Sequence, residues 1–384
     1  MDKHTLQKIL SHTIVAAMAS AVTLALFGGT PPASKLDQLE DLIDQRFIED
    51  ADLTALEDAA AHAMVGATGD RWSYYIPASE YQAYQERMAN AYVGVGITIQ
   101  AAETEDGFLI LSVAAGGPAE AAGIQAGDLL IEANGENLRG KTIDQVSQLV
   151  SGKEGTKVSL LVMRQGQPET FQVERRQIQT VVAEQEMLEN NIGLVTIYNF
   201  DSRCSQETIA AMDTLIANGA EKLIFDVRFN PGGYAHELVA VLDYLLPEGE
   251  LFRTLSYDGK ETVDRSDADC LDLPMAVLVN ENSYSAAEFF AAALQEYEAA
   301  VVVGQKTTGK GYFQTTYQMS DGSAVALSIG KYFTPKGVSL ANVGITPDVP
   351  VEVDQATAQD IRMGILPPAQ DPQIQAAVAE LMGQ

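Results

Sequence analysis

From residue 190 to 350 the chain alternates short apolar runs with helical stretches, and that order leaves few folds open. Ile192 to Ile197 reads as a strand. Ile209, Met212, Leu215 and Ile216 then share one helix face, closed by Asn218-Gly219. Leu223 to Val227 is a second strand with a run suited to burial on both faces, and His236 to Leu245 a second helix. Met275 to Val279, Ser285 to Tyr297 and Val301 to Val303 repeat the pattern. Strands separated by helices join as parallel neighbours through crossovers, so this region is expected to form an α/β domain.

The region before it differs. Ile97 to Ile99, Phe108 to Val113, Leu129 to Ala133, Val158 to Val162 and Thr170 to Val173 are short strand candidates. Asn134-Gly135 signals a tight turn. Thr142 followed by Gln145 is a capping-box pattern for a helix carrying Ile143, Val146, Leu149 and Val150, and Pro118 to Ala122 suits a shorter helix. Further upstream, Leu36, Leu39, Leu42, Ile43 and Phe47, then Leu53, Leu56, Ala60 and Met64, recur at helical spacing, with Asp52 and Thr54 as candidate caps. The aromatic segment Gly69 to Tyr75, with Trp72, reads as a core anchor between domains rather than a ligand platform. Past Asp354 the apolar positions Ile374, Val378 and Leu381 indicate a partly helical tail.

At the N-terminus, Lys3 and Lys8 precede an uncharged stretch in which Ile14 to Phe27 is almost wholly apolar or small, ended by Gly28, Gly29, Pro31 and Pro32. This is the layout of an export signal. Counted from Ile9 it nearly suffices to span a bilayer, so an uncleaved signal anchor is favoured over cleavage near Ala33-Ser34. The lysines would stay inside and the remainder would sit outside the cytoplasm.

Charge and composition exclude several functions. The 384 residues carry 24 Lys+Arg against 53 Asp+Glu, a formal net charge of −29. Nucleic acid and anionic lipid both need basic surfaces, so neither is an expected partner. Cys204 and Cys270 form no CxxC pattern, which removes a zinc ribbon and leaves a single disulfide open. Two of the four histidines, His4 and His12, fall in the first dozen residues, leaving only His62 and His236 for the body of the chain. No metal or organic cofactor is expected, and chemistry should rest on something other than a metal or a Ser-His-Asp triad.

Two sets of residues point to that chemistry. Gly94-Val95-Gly96-Ile97 is a glycine-flanked loop running into a strand; its N–H groups can face a peptide's terminal carboxylate while the strand edge pairs with the peptide. With Gly127-Asp128 and Asn134-Gly135 around the following strand, residues 91–176 resemble a PDZ domain. In the α/β region, Asp226 to Gly233 ends in adjacent glycines whose N–H groups could face an oxyanion. Asn282 to Glu288 places serines between a strand and a helix N-terminus, where N–H donors are free. Thr307 to Gly311 is a glycine loop around Lys310, with Gln314 shortly after.

Together these segments resemble the carboxyl-terminal processing, or tail-specific, serine proteases with an embedded PDZ domain, across residues 35–350. The resemblance implies Ser285 as nucleophile, Lys310 as general base and Gln314 as its support. The N–H of Ala286, with that of Gly232 or Gly233, would form the oxyanion hole. Tyr332 to Gly337 and Gly344 to Asp348 match two further family stretches. Only this alignment favours Ser285 over Ser283 and Lys310 over Lys306. Tyr284, Ala287 and Phe229 depart from the family's pattern, and Tyr284 is expected to narrow the cleft or alter substrate preference.

The organisation then expected is a signal peptide or anchor (1–34), a helical N-terminal segment (35–90), the PDZ domain (91–176), a crotonase-like α/β protease core (177–354) and a C-terminal tail (355–384). Serine needs a base, and lysine serves only when burial disfavours its ammonium form. The PDZ domain would capture protein or peptide substrates by their free C-termini and could gate the active site, with Arg164 as a possible link between domains. The helical segment and the tail are candidate surfaces for a homodimer. Rival readings are a non-catalytic PDZ scaffold on a protease-like fold and a crotonase-like acyl-CoA enzyme. Retention of Ser285, Lys310 and Gln314 together argues against the first, and the PDZ module with the Ser-Lys pair against the second.

Overall fold

A computed structural model describes residues 34–102 and 107–383. They divide into two units, one ending at Asp70 and the other beginning at Arg71. In the first, helix α1 (Lys35–Arg46) opens on a capping box in which Ser34 Oγ accepts the Asp37 N–H and the Asp37 carboxylate accepts the Ser34 N–H. Helix α2 (Leu53–Gly66) is capped by Asp52, which accepts the Ala55 N–H at 3.1 Å. Nearly all of the expected signal or anchor lies outside the described residues. Among the described residues no helix is long and apolar enough to cross a membrane.

The second unit begins with strand β1 (Tyr74–Ile76) and helix α3 (Ala78–Met88). β1 pairs with residues 324–326, so this part of the expected helical segment is a strand built into the core. The β-rich module follows: β2 (Ala91–Gly94), β3 (Ile97–Ala101), β4 (Phe108–Val113), α4 (Pro118–Ala122), β5 (Leu129–Ala133), β6 (Glu136–Asn137), α5 (Ile143–Val150), β7 (Lys157–Arg164), β8 (Gln167–Glu174) and β9 (Arg176–Gln179). β2 and β9 pair antiparallel, holding the module's two ends together. The sheet runs β3-β4-β5-β7-β8, with β3 at one edge. Val158, Leu160 and Val162 alternate into a core closed by Val146 of α5, as a half-buried strand requires. The Thr142–Gln145 capping box forms as the spacing predicts.

Arg164 does not link domains. Its guanidinium donates to both Asp128 oxygens, at 2.7 and 2.6 Å, and to the Gly123 carbonyl, and it pairs with Glu169, all within the module. An arginine with so many local acceptors is fixed where it stands.

The core comprises β10 (Ala183–Met187), β11 (Ile192–Ile197), α6 (Cys204–Ala217), β12 (Lys222–Asp226), α7 (Ala235–Leu245), β13 (Gly249–Ser256), β14 (Glu261–Ser266), β15 (Met275–Val279), α8 (Ala286–Glu296), β16 (Ala300–Gly304), β17 (Tyr312–Gln318), β18 (Ala324–Phe333) and β19 (Val349–Pro350), followed by α9 (Gln355–Arg362) and α10 (Pro372–Gly383). One sheet has the order β10-β11-β12-β15-β16-β19, parallel from β11 onward. Successive residues of its strands serve two cores. Phe225, Val277 and Val302 face α6, α7 and α8, whereas Ile224, Ala276, Leu278 and Val303 face Ile374, Ala377 and Leu381 of α10. The tail is thus partly helical as expected, and its last helix is the cover of the sheet's second face.

β18 is the spine of a second sheet, with β17 along one edge and β1 and β13 sharing the other. Helix α8 packs between the two sheets. Phe289 meets Phe252 and Tyr332 on one side, Phe290 meets Phe225 on the other, and every residue from Ala286 to Leu294 is buried. Cys204 is buried and Cys270 exposed, and both are free thiols.

Candidate active site

Strands β12, β15 and β16 run parallel, so the loops at their C-terminal ends gather at one edge of the sheet, where ligands of open α/β sheets bind. The three loops are stitched together. Asn280 Oδ1 accepts the Phe229 N–H at 3.0 Å, and the Tyr284 N–H donates to the Asn230 carbonyl. Ser283 Oγ donates to the Val227 carbonyl at 2.7 Å and is fully buried, so this hydroxyl is spent on holding the loops. The Thr308 N–H and hydroxyl reach the carbonyls of Ser283 and Glu281.

Ser285 stands between β15 and α8 with φ 60° and ψ −126°, a backbone conformation that L-residues rarely adopt. It directly precedes the helix, so α8 presents its unpaired N–H groups beside the hydroxyl. Gly232 packs against this turn with φ +88°: a Cβ there would lie 2.6 Å from Ser285 Cβ and 2.8 Å from the Ala286 nitrogen. Only glycine permits that approach. The Gly232 N–H donates to Asn230 Oδ1 at 2.8 Å. Gly233 forms a bridge with Phe200, which uses the Gly232 carbonyl and the Tyr234 N–H and leaves Gly233's own N–H out of the bridge.

One carboxylate joins the serine turn to the lysine loop. Glu288, fully buried on α8, accepts the N–H groups of Ser285, Gly309 and Lys310 at 3.1, 2.7 and 2.8 Å and the Thr307 hydroxyl. Burial pushes its pKa up, and these four donors pull against that. Sequence reasoning assigned Glu288 no role, although its place three residues after Ser285 is a capping-box signal.

Ser285, Lys310 and Gln314 line one cavity of about 1090 Å³, with Gly232, Gly233, Trp72 and Tyr284. Lys310 Nζ lies 5.0 Å from the Trp72 ring centre and 5.8 Å from that of Tyr284, and the two rings are 5.7 Å apart. The Gln314 amide nitrogen donates to Ser328 Oγ and the Tyr312 carbonyl. Trp72 was expected to anchor a core. It forms cavity wall instead, because β1 joins the second sheet and carries the preceding residues to the cavity. Tyr284 is part of the same wall. Tyr332 also reaches the cavity, whereas Thr307 Oγ1 accepts the Ile345 N–H and Asp348 accepts the Val302 N–H, so Gly344 to Asp348 serves as scaffold.

Gly94 to Ile97 lies in the other module, where Gly96 has φ +77° and the loop opens directly into edge strand β3. The PDZ-like module thus lies ahead of an α/β core that carries a serine at a strained strand-to-helix turn. Comparison with known proteins gives the family. Residues 191–351 match the profile of peptidase family S41, and residues 109–164 that of a PDZ domain. The chain is 31% identical over 355 residues to the carboxy-terminal processing protease CtpA of Bacillus subtilis (strain 168), covering 88% of this chain and 76% of that one. It is 32% identical over 324 residues to a probable CtpA-like serine protease of Staphylococcus aureus (strain COL), covering 83% of this chain and 64% of the relative's length. A putative S41 protease from Bacteroides fragilis shares the fold, with TM-score 0.55 at 15% identity over 92% of this chain and 99% of that one. The chain belongs to peptidase family S41, among the carboxyl-terminal processing proteases.

Proposed function

We propose that the protein is an extracytoplasmic serine endopeptidase that cuts proteins near their C-termini through an acyl-enzyme, using Ser285 and Lys310. The observation that carries this reading is the meeting of Ser285, Lys310 and Gly232 at one cavity, with Glu288 binding both loops that carry the pair. Lys310 removes the hydroxyl proton as Ser285 attacks the peptide carbonyl. That task needs the neutral amine. The Gln314 nitrogen is committed to Ser328 and Tyr312, leaving its oxygen to orient the amine. The N–H groups of Ala286 and Gly233 stabilise the oxyanion; that of Gly232 is engaged by Asn230, and Gly232 serves by its lack of a side chain. The protonated lysine returns its proton to the leaving amine, and water then releases the acyl product.

Gly94, Val95, Gly96 and Ile97 receive the substrate's terminal carboxylate, and the tail adds as a strand beside β3. The N-terminal apolar stretch supports a location of both modules outside the cytoplasm, at a membrane. The test is cleavage of an unfolded reporter protein by wild type, Ser285→Ala and Lys310→Ala. Loss of cleavage in both variants is expected, and retention in either removes that residue from the mechanism.

A further inference from the structure

The same cavity holds a carboxylate that the proposed mechanism does not use. Asp201 lies on its wall and is only 7% exposed. Its N–H donates to Asn199 Oδ1, and its carbonyl accepts the Cys204 N–H. No hydrogen bond or ion pair reaches its carboxylate from any described residue. A carboxylate with no protein partner that faces a cavity keeps its acceptor oxygens open to water or to a donor that arrives from outside.

Its position is set by the glycines. Phe200 bridges Gly233, and a Cβ on Gly233 would lie 2.6 Å from the Asp201 nitrogen. Ser285 packs on Gly232. Asp201 and Ser285 therefore flank two consecutive glycines on the wall of one cavity.

We propose that Asp201 is a specificity-determining residue that selects a lysine or arginine side chain next to the cleaved bond. The inference rests on the peptidase reading above and names the substrate class for it. A long basic side chain suits the surroundings. The Tyr234 and Tyr284 rings line the same cavity and offer faces to its alkyl stem and its cation. Arg71 and Arg87 also line the cavity but are exposed residues, stacked over Trp72 and Tyr84 at 4.3 and 5.7 Å, where water screens them. Neither forms an ion pair with Asp201.

The selection carries a pH signature. Burial pushes the Asp201 pKa up to about 7; Arg87 on α3 pulls it down, and Glu237 on α7 pushes it further up. Tyr234, Tyr284 and the Cys204 thiol also face it, and its charge contributes to raising each of theirs. Above that range the carboxylate is ionised and favours a cation. Below it the group is neutral and the preference fades.

Trp72 is the single tryptophan of the chain and lies on the cavity wall, so its fluorescence reports occupancy. The experiment titrates Ser285→Ala with two hexapeptides that differ only in one central residue, lysine or norleucine, at pH 6 and pH 8. At pH 8 the lysine peptide is expected to bind at least about tenfold more tightly. The gap should close at pH 6 and disappear in Ser285→Ala/Asp201→Asn. Equal binding of the two peptides at pH 8, or a gap indifferent to pH, overturns the proposal, and the pH comparison needs no second substitution. Binding to the inactive variant does not depend on turnover. Wild type failing to cut an unfolded protein would sink the peptidase reading, whereas cutting with no enrichment of lysine or arginine beside the cut would sink the subsite alone.

Discussion

The PDZ module and the peptidase core bury apolar strands by different means. In the module, pairing is largely between strands near one another in sequence: β7 and β8 run in register from Lys157 opposite Glu174 to Arg164 opposite Gln167. Its candidate carboxylate loop and the edge strand beside it form one contiguous segment. In the core, Trp72, Gly232, Ser285 and Lys310 come from distant stretches and meet only because two sheets enclose α8 and the parallel strands end together. On the proposed reading, recognition is a local property of the chain, and chemistry is a property of the assembled core. Damage should separate along that line.

The largest separation is expected from the proposed pair, Ser285 and Lys310. Ser285→Ala and Lys310→Ala should each lower kcat/KM by at least about 10⁴-fold. Calorimetric titration with a free C-terminal peptide should show module binding unchanged. Loss of that binding would mean that the two regions are not independent. Gly232→Ala is next, because its methyl would fall on Ser285 and the Ala286 nitrogen. A fall of about 10²–10³ in kcat with little change in KM is expected, the signature of a disturbed oxyanion site. A rise in KM alone would move Gly232 from chemistry to binding.

Arg228→Met probes the core's long-range assembly. Arg228 is buried and pairs with Asp226 at 2.6 Å and with Asp371, at the start of α10, at 2.8 Å. Removing it strands two carboxylates and should cost about 3–5 kcal/mol. Hydrogen exchange should show the core amides opening at lower urea while those of β7 and β8 keep their protection. The smallest effect concerns acid. Asp128 is desolvated, which raises its pKa, but the hydrogen bonds from Arg164 and the Gln125 N–H outweigh this and leave it lowered. A depressed carboxylate contributes stability above its unfolded pKa of about 3.9, lost as pH falls through the lower folded value. Arg164→Gln should therefore bring the module's acid unfolding to higher pH, and an unchanged acid transition would discount the pair.

The same contrast explains what was legible in the sequence. In the module, β4 and β5 were legible at both ends and β3, β7 and β8 at their centres, because alternation along Val158, Leu160 and Val162, the Asn134-Gly135 turn and the Thr142–Gln145 cap are local signals, whereas the short β2, β6 and β9 were not. The parallel strands were legible as apolar runs. The second sheet was not: β14, β17 and much of β13 lack a clean alternation, since most of their residues are only partly buried and neither face is clearly inside. The covering role of α10 depends on a partner face far away in sequence. Ser285, Lys310 and Gln314 were legible through a resemblance, and the structure brings them to one cavity. Trp72 and Asp201 carry no motif, and only the closed cavity gives them a place. The local partners of Arg164 were not legible, because a charged residue at a strand end looks the same whether its partners are near or far.

The strained turn at Ser285 bears on how such a protein can change over generations. At φ 60° and ψ −126°, Ser285 occupies backbone territory in which glycine is at ease. A non-glycine residue held in such a region costs of order 1–3 kcal/mol. Ser285→Gly is therefore expected to raise the melting temperature while abolishing turnover, and an unchanged or lower value would show that the turn is relaxed. On the proposed mechanism, random drift toward robustness would tend to erase this serine unless selection on the reaction held it.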